Sequence, residues 1–322
     1  MENTVKGKII KGVGGLYTVR VPDPASPLGA RNVNCRAKGA FRHSNITPLA
    51  GDNVTLLTEG AALEEERKKN KGAEAGALIT EIETRKNSLI RPPLANMDYI
   101  FVTMAAAHPV PILATVDKMI SIAEFNGIEP IIVITKRDLD PKSAERYAEI
   151  YRKAGFCVFV ISSVTLEGVD EIREFTESEL KGSTAAFAGA SGIGKSTLMN
   201  ALFPRLALST SEISERIERG RHTTRQVELF PLSNDADCGF LADTPGFSML
   251  DFERFDFFSL EELPQTFREF SELIGNCRYT KCSHTKEEGC AILEALKNGD
   301  IPPSRHESFL ELYATLKAKK KW

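Results

Sequence analysis

The sequence predicts an α/β chain in three parts: a small all-β barrel, a doubly wound α/β domain, and a short helical segment built around a metal cluster. Three observations support this reading. Residues 1–84 hold only short β-prone runs, residues 85–250 alternate continuous apolar runs with helical stretches, and residues 251–322 gather three cysteines and a histidine within 14 residues. At 322 residues, 42% hydrophobic and 26% charged, the chain has ordinary globular proportions and is long enough for two or three domains with real cores. Its start, "MENTVKGKIIKG", has no apolar leader core, and no run nears the roughly 18 apolar residues of a spanning helix. A cytoplasmic protein without membrane contact is the expectation.

The first part earns its assignment from "GKIIKG", "LYTVRV", "VNCRAKG", "NVTLL" and "ALITEIE", separated by "VGG", "PDPASPLG", "ITPLAGD" and a charged stretch. Five short strands with such punctuation predict a small barrel such as an OB-fold, a frequent nucleic-acid binder. Charge points the same way. The whole chain has a net charge of −3, yet residues 1–60 carry Lys6, Lys8, Lys11, Arg20, Arg31, Arg36, Lys38 and Arg42 against Glu2, Asp23, Asp52 and Glu59. A second basic feature, "KAKKKW", closes the chain. Contact with a phosphate backbone fits both features, although Tyr17 and Phe41 are the main aromatics for base stacking and a structural or protein-binding barrel stays open.

In the second part "YIFVTMA", "PIIVIT", "CVFVIS" and "TAAFA" are continuous apolar runs, with helical stretches around 112–126, 141–154 and 167–180 between them. That alternation is what a doubly wound parallel sheet requires. "RQVELFPL" and "CGFLADTPG" add two more strands. The run "TAAFA" leads into "GASGIGKS" at 189–196, followed by a helix start. This is the phosphate-binding pattern G-x-x-x-x-G-K-[ST] in the strand–loop–helix setting it needs.

Three further motifs fall on strand ends or in switch loops. "DTPG" at Asp243 to Gly246 suits a second phosphate motif, its carboxylate behind a Mg²⁺ shell and its glycine amide near a γ-phosphate. "TKRD" at Thr135 to Asp138, with "ISS" at Ile161 to Ser163, resembles the N-K-x-D guanine motif and its serine companion. Asp138 can accept from guanine N1–H and the exocyclic amine, whereas adenine has no matching donors, and a site that leaves a carboxylate unpaired rejects the wrong base strongly. The chain order is guanine motif, serine loop, phosphate loop, "GRHTTR" at 220–225, then "DTPG". This is a GTPase set cut and rejoined, a circular permutation made feasible by domain termini that often lie close together.

The set "TKRD…ISS…GASGIGKS…GRHTTR…DTPGF", a barrel before it and a Cys/His cluster after it make the chain similar, over essentially its whole length, to the ribosome small subunit-dependent GTPase A family of bacterial assembly factors. The resemblance implies an OB-fold RNA-binding domain (1–84), a circularly permuted P-loop GTPase domain (85–250) and a small helical zinc-binding domain (251–322). Together these would act as a monomer that binds the small ribosomal subunit and its rRNA and hydrolyses GTP late in subunit maturation, with turnover stimulated by the subunit. One departure is Thr135 in place of the usual Asn, which keeps a hydroxyl but loses the amide that can bridge base and phosphate loop; this predicts weaker nucleotide affinity, with guanine selectivity still resting on Asp138.

Roles follow residue by residue for GTP and GDP. Amides from Gly189, Ala190, Ser191, Gly192, Ile193, Gly194, Lys195 and Ser196, with Thr197 beside them, should cradle the α- and β-phosphates, and Lys195 should bridge β and γ. Thr135, Lys136, Asp138, Ser162 and Ser163 should form the guanine end. Ser196 should hold Mg²⁺ with a switch threonine, Thr223 or Thr224, of which Thr224 is favoured by analogy with other "TTR" GTPases, and with Asp243 in direct or outer contact. Phe247 stands where many GTPases place the glutamine that orients water. His222 is therefore the candidate catalytic group beside Lys195, with Arg221 and Arg225 as alternative sources of charge.

Cys277, Cys282, His284 and Cys290 have the spacing C-x4-C-x-H-x5-C, a complete Cys₃His set for one structural Zn²⁺. "SLEE" at Ser259 to Glu262 and "SRHE" at Ser304 to Glu307 predict capping boxes opening helices around it, in a region too small to be secure without metal. Two functional classes compete: a GTPase whose cycle times its release from the small subunit, and an RNA-binding scaffold that keeps GTP as a structural ligand with negligible turnover. The Mg²⁺ ligands and both switch motifs favour the first. A zinc enzyme is disfavoured because the ligand set leaves no open position.

Overall fold

The computed structural model describes residues 3–26, 29–39, 41, 46–60, 63–64, 76–89, 93–203, 227–233, 235, 238–243 and 258–319. The chain divides into two compact units, Met1–Asp98 with Glu177–Ala186 and Ser211–Pro245, and Tyr99–Thr176 with Phe187–Thr210 and Gly246–Trp322. Among the described residues no helix is long and apolar enough to cross a membrane.

In the first unit the five predicted strands are β1 (Asn3–Val13), β2 (Leu16–Pro22), β3 (Ala30–Ala37), β4 (Asn53–Glu59) and β5 (Ala77–Ile82). They run in the order β1-β2-β3-β5-β4, and β4 pairs back onto β1. The length of β1 and its irregularity between Ile9 and Lys11 let one strand serve two partners. Its first half pairs with β4 and its second with β2, which closes the barrel; β3 and β5 pair in parallel. Alternation places Val19 and Val21, Val33 and Cys35, and Val54 and Leu56 in a common core with Ile9 and Ile79. That is the period-2 pattern of a sheet with one face inward. Gly7 is required in β1, since a Cβ there would stand 2.6 Å from the Arg20 carbonyl.

A two-residue ladder joins β6 (Ser88–Leu89) to β7 (Leu94–Ala95). Still in this unit, β11 (Thr184–Ala188) begins beside β13 (Phe240–Asp243) in parallel, and β12 (Glu228–Pro231) runs antiparallel to β13 and bridges to β1 at Lys11↔Glu228. Strand β12 runs antiparallel for a simple reason. Residues 232–239 between β12 and β13 are too few for a parallel crossover, which takes a dozen or more, but suffice for a hairpin return.

The second unit holds β8 (Tyr99–Ala105), β9 (Glu129–Thr135) and β10 (Cys157–Val160), all parallel in the order β10-β9-β8. Helices α1 (Leu113–Phe125), α2 (Pro141–Lys153) and α3 (Val169–Glu179) follow the strands, close to the predicted bounds. Helix α2 starts by local chemistry: the Asp140 side chain accepts from the Ser143 amide at 3.0 Å and Pro141 opens the first turn, a favoured N-cap arrangement. Its inward face is Ala144, Tyr147, Ala148 and Tyr151, the i, i+3, i+4, i+7 spacing of an amphipathic helix. Helix α4 (Lys195–Leu202) leaves the phosphate loop.

At the C-terminal end lie two 3₁₀ turns, then α5 (Ala291–Asn298) and α6 (Pro303–Lys319). Ser259 and Glu262 form the reciprocal box that the sequence predicts, Ser259 N to Glu262 Oε2 at 2.7 Å and Glu262 N to Ser259 Oγ at 3.3 Å. It opens the 3₁₀ turn Leu263–Thr266 rather than an α-helix. "SRHE" is no cap, because α6 already begins at Pro303 and Arg305 and His306 point into the core. Phe267, Phe270 and Phe309, all fully buried, pack with ring centroids 5.2–5.4 Å apart. The segment thus has an aromatic core of its own, and α6 also packs on α1.

Candidate functional site

The phosphate loop links β11 to α4, and its shape depends on glycine at two points. Gly189 has φ +140°, and a Cβ there would lie 2.3 Å from the Thr103 carbonyl oxygen. Gly194, at φ +98°, is the N-cap of α4, so the amides of the first helical turn open toward the loop. Between them Ile193 is 3% exposed and anchors the loop by its side chain, while Ser191 and Gly192 are exposed. Lys195 folds over the loop, its ammonium donating to the carbonyls of Gly189 at 2.7 Å and Ala190 at 2.6 Å. Burial pushes its pKa down to about 8. Ser196 is half-buried and Thr197 exposed on the first turn of α4.

The guanine motif meets this loop directly. Thr135, the last residue of β9 and 1% exposed, donates its hydroxyl to the Ile193 carbonyl and lies 3.2 Å from that of Met104. Lys136, in the left-handed region at φ +58°, donates to the Gly192 carbonyl at 2.8 Å and to that of His108. The Thr135 hydroxyl thus ties the end of β9 to the phosphate loop. Further along, Ser162 Oγ donates to Asp138 Oδ1 at 2.6 Å and accepts from the amides of Val164 and Thr165. One carboxylate edge is fixed and the other is left for a ligand. Asp138 is exposed, so the burial on which base discrimination depends has to come from the base. Ser163 lies half-buried next to it.

Asp243 ends β13, and its side chain lies outside the described residues. So do Gly246, His222, Thr223 and Thr224, together with Arg221, Arg225 and Phe247.

The metal ligands converge as predicted. The ligand atoms of Cys277, Cys282, His284 and Cys290 all lie within 4.8 Å of one another. Cys277 Sγ stands 3.6 Å from His284 Nδ1 and 3.9 Å from Cys290 Sγ, and His284 Nδ1 is 3.4 Å from Cys290 Sγ. Zinc–sulfur bonds of about 2.3 Å and zinc–nitrogen bonds of about 2.0–2.1 Å give tetrahedral edges of about 3.8 Å and about 3.6 Å, so Cys277, His284 and Cys290 are spaced for one tetrahedral ion, and Cys282 lies near enough to complete the set. The His284 backbone, at φ +58°, aims Nδ1 inward, and its carbonyl accepts from His306 Nε2 at 2.9 Å. Glu287 shapes the same loop. Partial burial opposes its charge, but hydrogen bonds from Ser283 and Lys286 prevail and hold its pKa down to about 2.

Sequence reasoning missed the ion cluster that joins this segment to α1. Arg305, 0% exposed, donates to Asp117 Oδ1 at 2.6 Å and to both oxygens of Glu269, at 2.7 and 3.1 Å, with its guanidinium 4.7 Å from the Phe267 ring centroid. Beside it Arg268 pairs with Glu124 and Glu129. A signal was present: Arg305, Ser308, Phe309 and Leu312 share one buried face of α6, and an arginine on an apolar stripe requires partners.

The comparisons with known proteins agree with this geometry. A family model described as RsgA GTPase matches residues 82–253, and one described as RsgA N-terminal domain matches residues 6–62. Proteins called small ribosomal subunit biogenesis GTPase RsgA are similar along the whole length. The one from Caldanaerobacter subterraneus is 39% identical over 98% of this chain and 97% of its own, and the one from Bacillus subtilis 37% identical over 98% of each. Among solved structures, YjeQ from Thermotoga maritima superposes with a TM-score of 0.76 at 27% identity, covering 98% of this chain and 99% of that one. YloQ, described as a circularly permuted GTPase, superposes with a TM-score of 0.75 at 33% identity, covering 98% and 96%. With its guanine strand ahead of its phosphate loop, a five-stranded barrel before them and a Cys₃His cluster after them, the chain belongs to the RsgA GTPase family, a family of circularly permuted GTP hydrolases.

Proposed function

We propose that this chain is a GTPase of small ribosomal subunit biogenesis. It binds the small subunit and its rRNA, hydrolyses GTP late in subunit maturation, and turns over faster on the subunit than alone. The curated relatives that match it over nearly its whole length are called small ribosomal subunit biogenesis GTPases. The observation that carries the chemistry is the union of base-reading and phosphate-binding elements through Thr135 and Lys136. The chain's domains are residues 1–84, 85–250 and 251–322; the matches at 6–62 and 82–253 speak for the presence of the first two. The protein acts as a cytoplasmic monomer.

In the bound complex the amides of Gly189 to Ser196 surround the phosphates, Lys195 turns from the loop carbonyls to the β- and γ-phosphates, and Asp138 and Lys136 take the base with Ser162, Ser163 and Thr135 behind them. Ser196 and Thr224 would hold Mg²⁺, with Asp243 in direct or outer contact and Thr223 as the alternative switch ligand; the ion would supply charge neutralisation at the transferred phosphoryl group. Gly246 meets the γ-phosphate. His222 orients the attacking water in place of the residue that Phe247 displaces. Cys277, Cys282, His284 and Cys290 hold Zn²⁺ with no open position, so that ion is structural.

The test is GTP turnover by the full chain alone and with purified small or large subunits, at fixed salt. Acceleration by the small subunit only is expected. Binding without any acceleration would overturn the switch reading in favour of a scaffold that keeps GTP as a structural ligand.

A further inference from the structure

The first unit holds a cleft on the face of β1 and β2 turned away from the barrel core, where the start of β13 meets them. It encloses about 270 Å³, and its charged lining is three cations, Lys6, Lys8 and Arg20, against one carboxylate, Glu83. The backbone forces the cations together. Lys8 and Arg20 stand directly opposite each other in the antiparallel β1–β2 ladder, so their side chains leave the sheet on one face with Cβ atoms about 4.5–5.5 Å apart, a pairing that is destabilising for like charges. Lys6, two residues before Lys8, shares that face. The acids near Lys8 are each committed elsewhere. Glu83 pairs with Lys6 at 2.8 Å, Asp52 accepts from Arg85 Nε and Nη2 at 2.7 and 2.8 Å, and Asp98 pairs with Lys86 and accepts from the Thr184 amide at 2.8 Å.

Among the described residues Lys8 therefore makes no ion pair. Its ammonium donates to the Gly51 carbonyl at 3.4 Å and lies 5.8 Å from the centroid of the Phe240 ring. Burial outweighs the pull of Asp98, Asp52 and Glu83 and lowers its pKa. Cys238 in the same cleft wall brings no charge, because burial holds its thiol protonated. A half-buried ammonium set against a second cation is costly until an anion joins them. We propose that this cleft is an anion site that takes one phosphate group, held by Lys8 and Arg20 together. The planar guanidinium of Arg20 matches two phosphate oxygens and the Lys8 ammonium adds a point charge. Two sources carry such a group, the backbone of an RNA strand and a free phosphate ion. The site is separate from the phosphate loop, which belongs to the second unit.

The test reads Lys8 itself, so its result stands whether or not the chain binds nucleotide or subunit. The full chain, with GDP and Mg²⁺ present to occupy the phosphate loop, is acylated by limiting reagent while inorganic phosphate replaces chloride at constant ionic strength, and the rate at each lysine is read by peptide mass spectrometry. A site with a Kd of about 1 mM slows Lys8 labelling about tenfold at about 10 mM phosphate, while the exposed Lys38 and Lys142 keep their rates. Arg20→Gln should remove most of that protection. Where this variant does not fold, Lys8→Met is melted instead: phosphate should raise the melting temperature of the unmodified protein more than that of the variant, since the general salt effect is common to both. A second arm uses a single-stranded RNA of about ten nucleotides. Protection of Lys8 by micromolar RNA but not by phosphate assigns a backbone phosphate, and protection by inorganic phosphate assigns the free ion. Protection by neither probe, equal slowing of all three lysines, protection undiminished in Arg20→Gln, or an equal melting shift in Lys8→Met overturns the site.

Discussion

The phosphate loop and the Cys/His cluster are both short irregular segments of the second unit, and they are held by opposite means. In the phosphate loop the backbone is gripped: Thr135, Lys136 and Lys195 each donate to a loop carbonyl, and the amides are left for an anion. In the cluster the side chains converge on one point, and the support comes from behind, where His306 holds the His284 carbonyl and Arg305 ties α6 to α1. The difference teaches where each is vulnerable. Loss of one tie loosens the loop but leaves its fold, whereas loss of the metal removes what four side chains share.

The largest effect should therefore come from chelation. Structural zinc contributes on the order of 10–16 kcal/mol in small zinc folds, so stripping the metal should abolish protease resistance and helical signal in 258–319. GDP binding should persist at 25 °C, as the ligands lie beyond the nucleotide motifs, but the protein should melt lower because α1 loses its cover. Unchanged protease resistance would mean that the aromatic core of Phe267, Phe270 and Phe309 suffices without metal.

Next comes Arg305. Its removal leaves Asp117 and Glu269 buried without their partner, and breaking such a cluster costs about 3–5 kcal/mol. Arg305→Ala should lower the melting temperature markedly, and the triple change Arg305→Met, Asp117→Asn, Glu269→Gln should recover part of the loss. If the single and triple variants melt together, the ion cluster is not what secures this segment.

For the nucleotide site the largest single loss expected is at Asp138. Asp138→Asn should reduce the preference for GDP over ADP by about a hundredfold, since two charge-assisted hydrogen bonds to guanine are weakened. Competition binding with the two nucleotides decides it, and equal affinities in the unmodified protein would remove the guanine assignment altogether.

The smallest effect is a pH dependence. Burial lowers the Lys195 pKa to about 8, and a bound phosphate favours the charged form and raises it again. Nucleotide binding then takes up a proton above pH 8, so affinity should be flat below that value and fall above it by at most tenfold per pH unit. Lys195→Met should bind weakly with no such slope. A slope that persists in the variant would place the titration elsewhere.

Much of this was legible in the sequence because the signals are local. Continuous apolar runs marked β8, β9, β10 and β11, alternation marked the barrel strands, and fixed spacings marked "GASGIGKS", "TKRD" and the four metal ligands, since each backbone period or ligand geometry prescribes its own residue pattern. Tertiary structure alone decided what depends on partners far apart in the chain. It turned β12 antiparallel because its return is short, made "SRHE" a buried face of α6 rather than a cap, and paired Arg305 with a carboxylate 188 positions away. It also brought the Thr135 hydroxyl to the Ile193 carbonyl, 58 positions further along the chain. No local pattern encodes such pairings, because a buried charge or hydroxyl is satisfied by whatever the folded chain brings within hydrogen-bond distance, and only the fold determines which group that is.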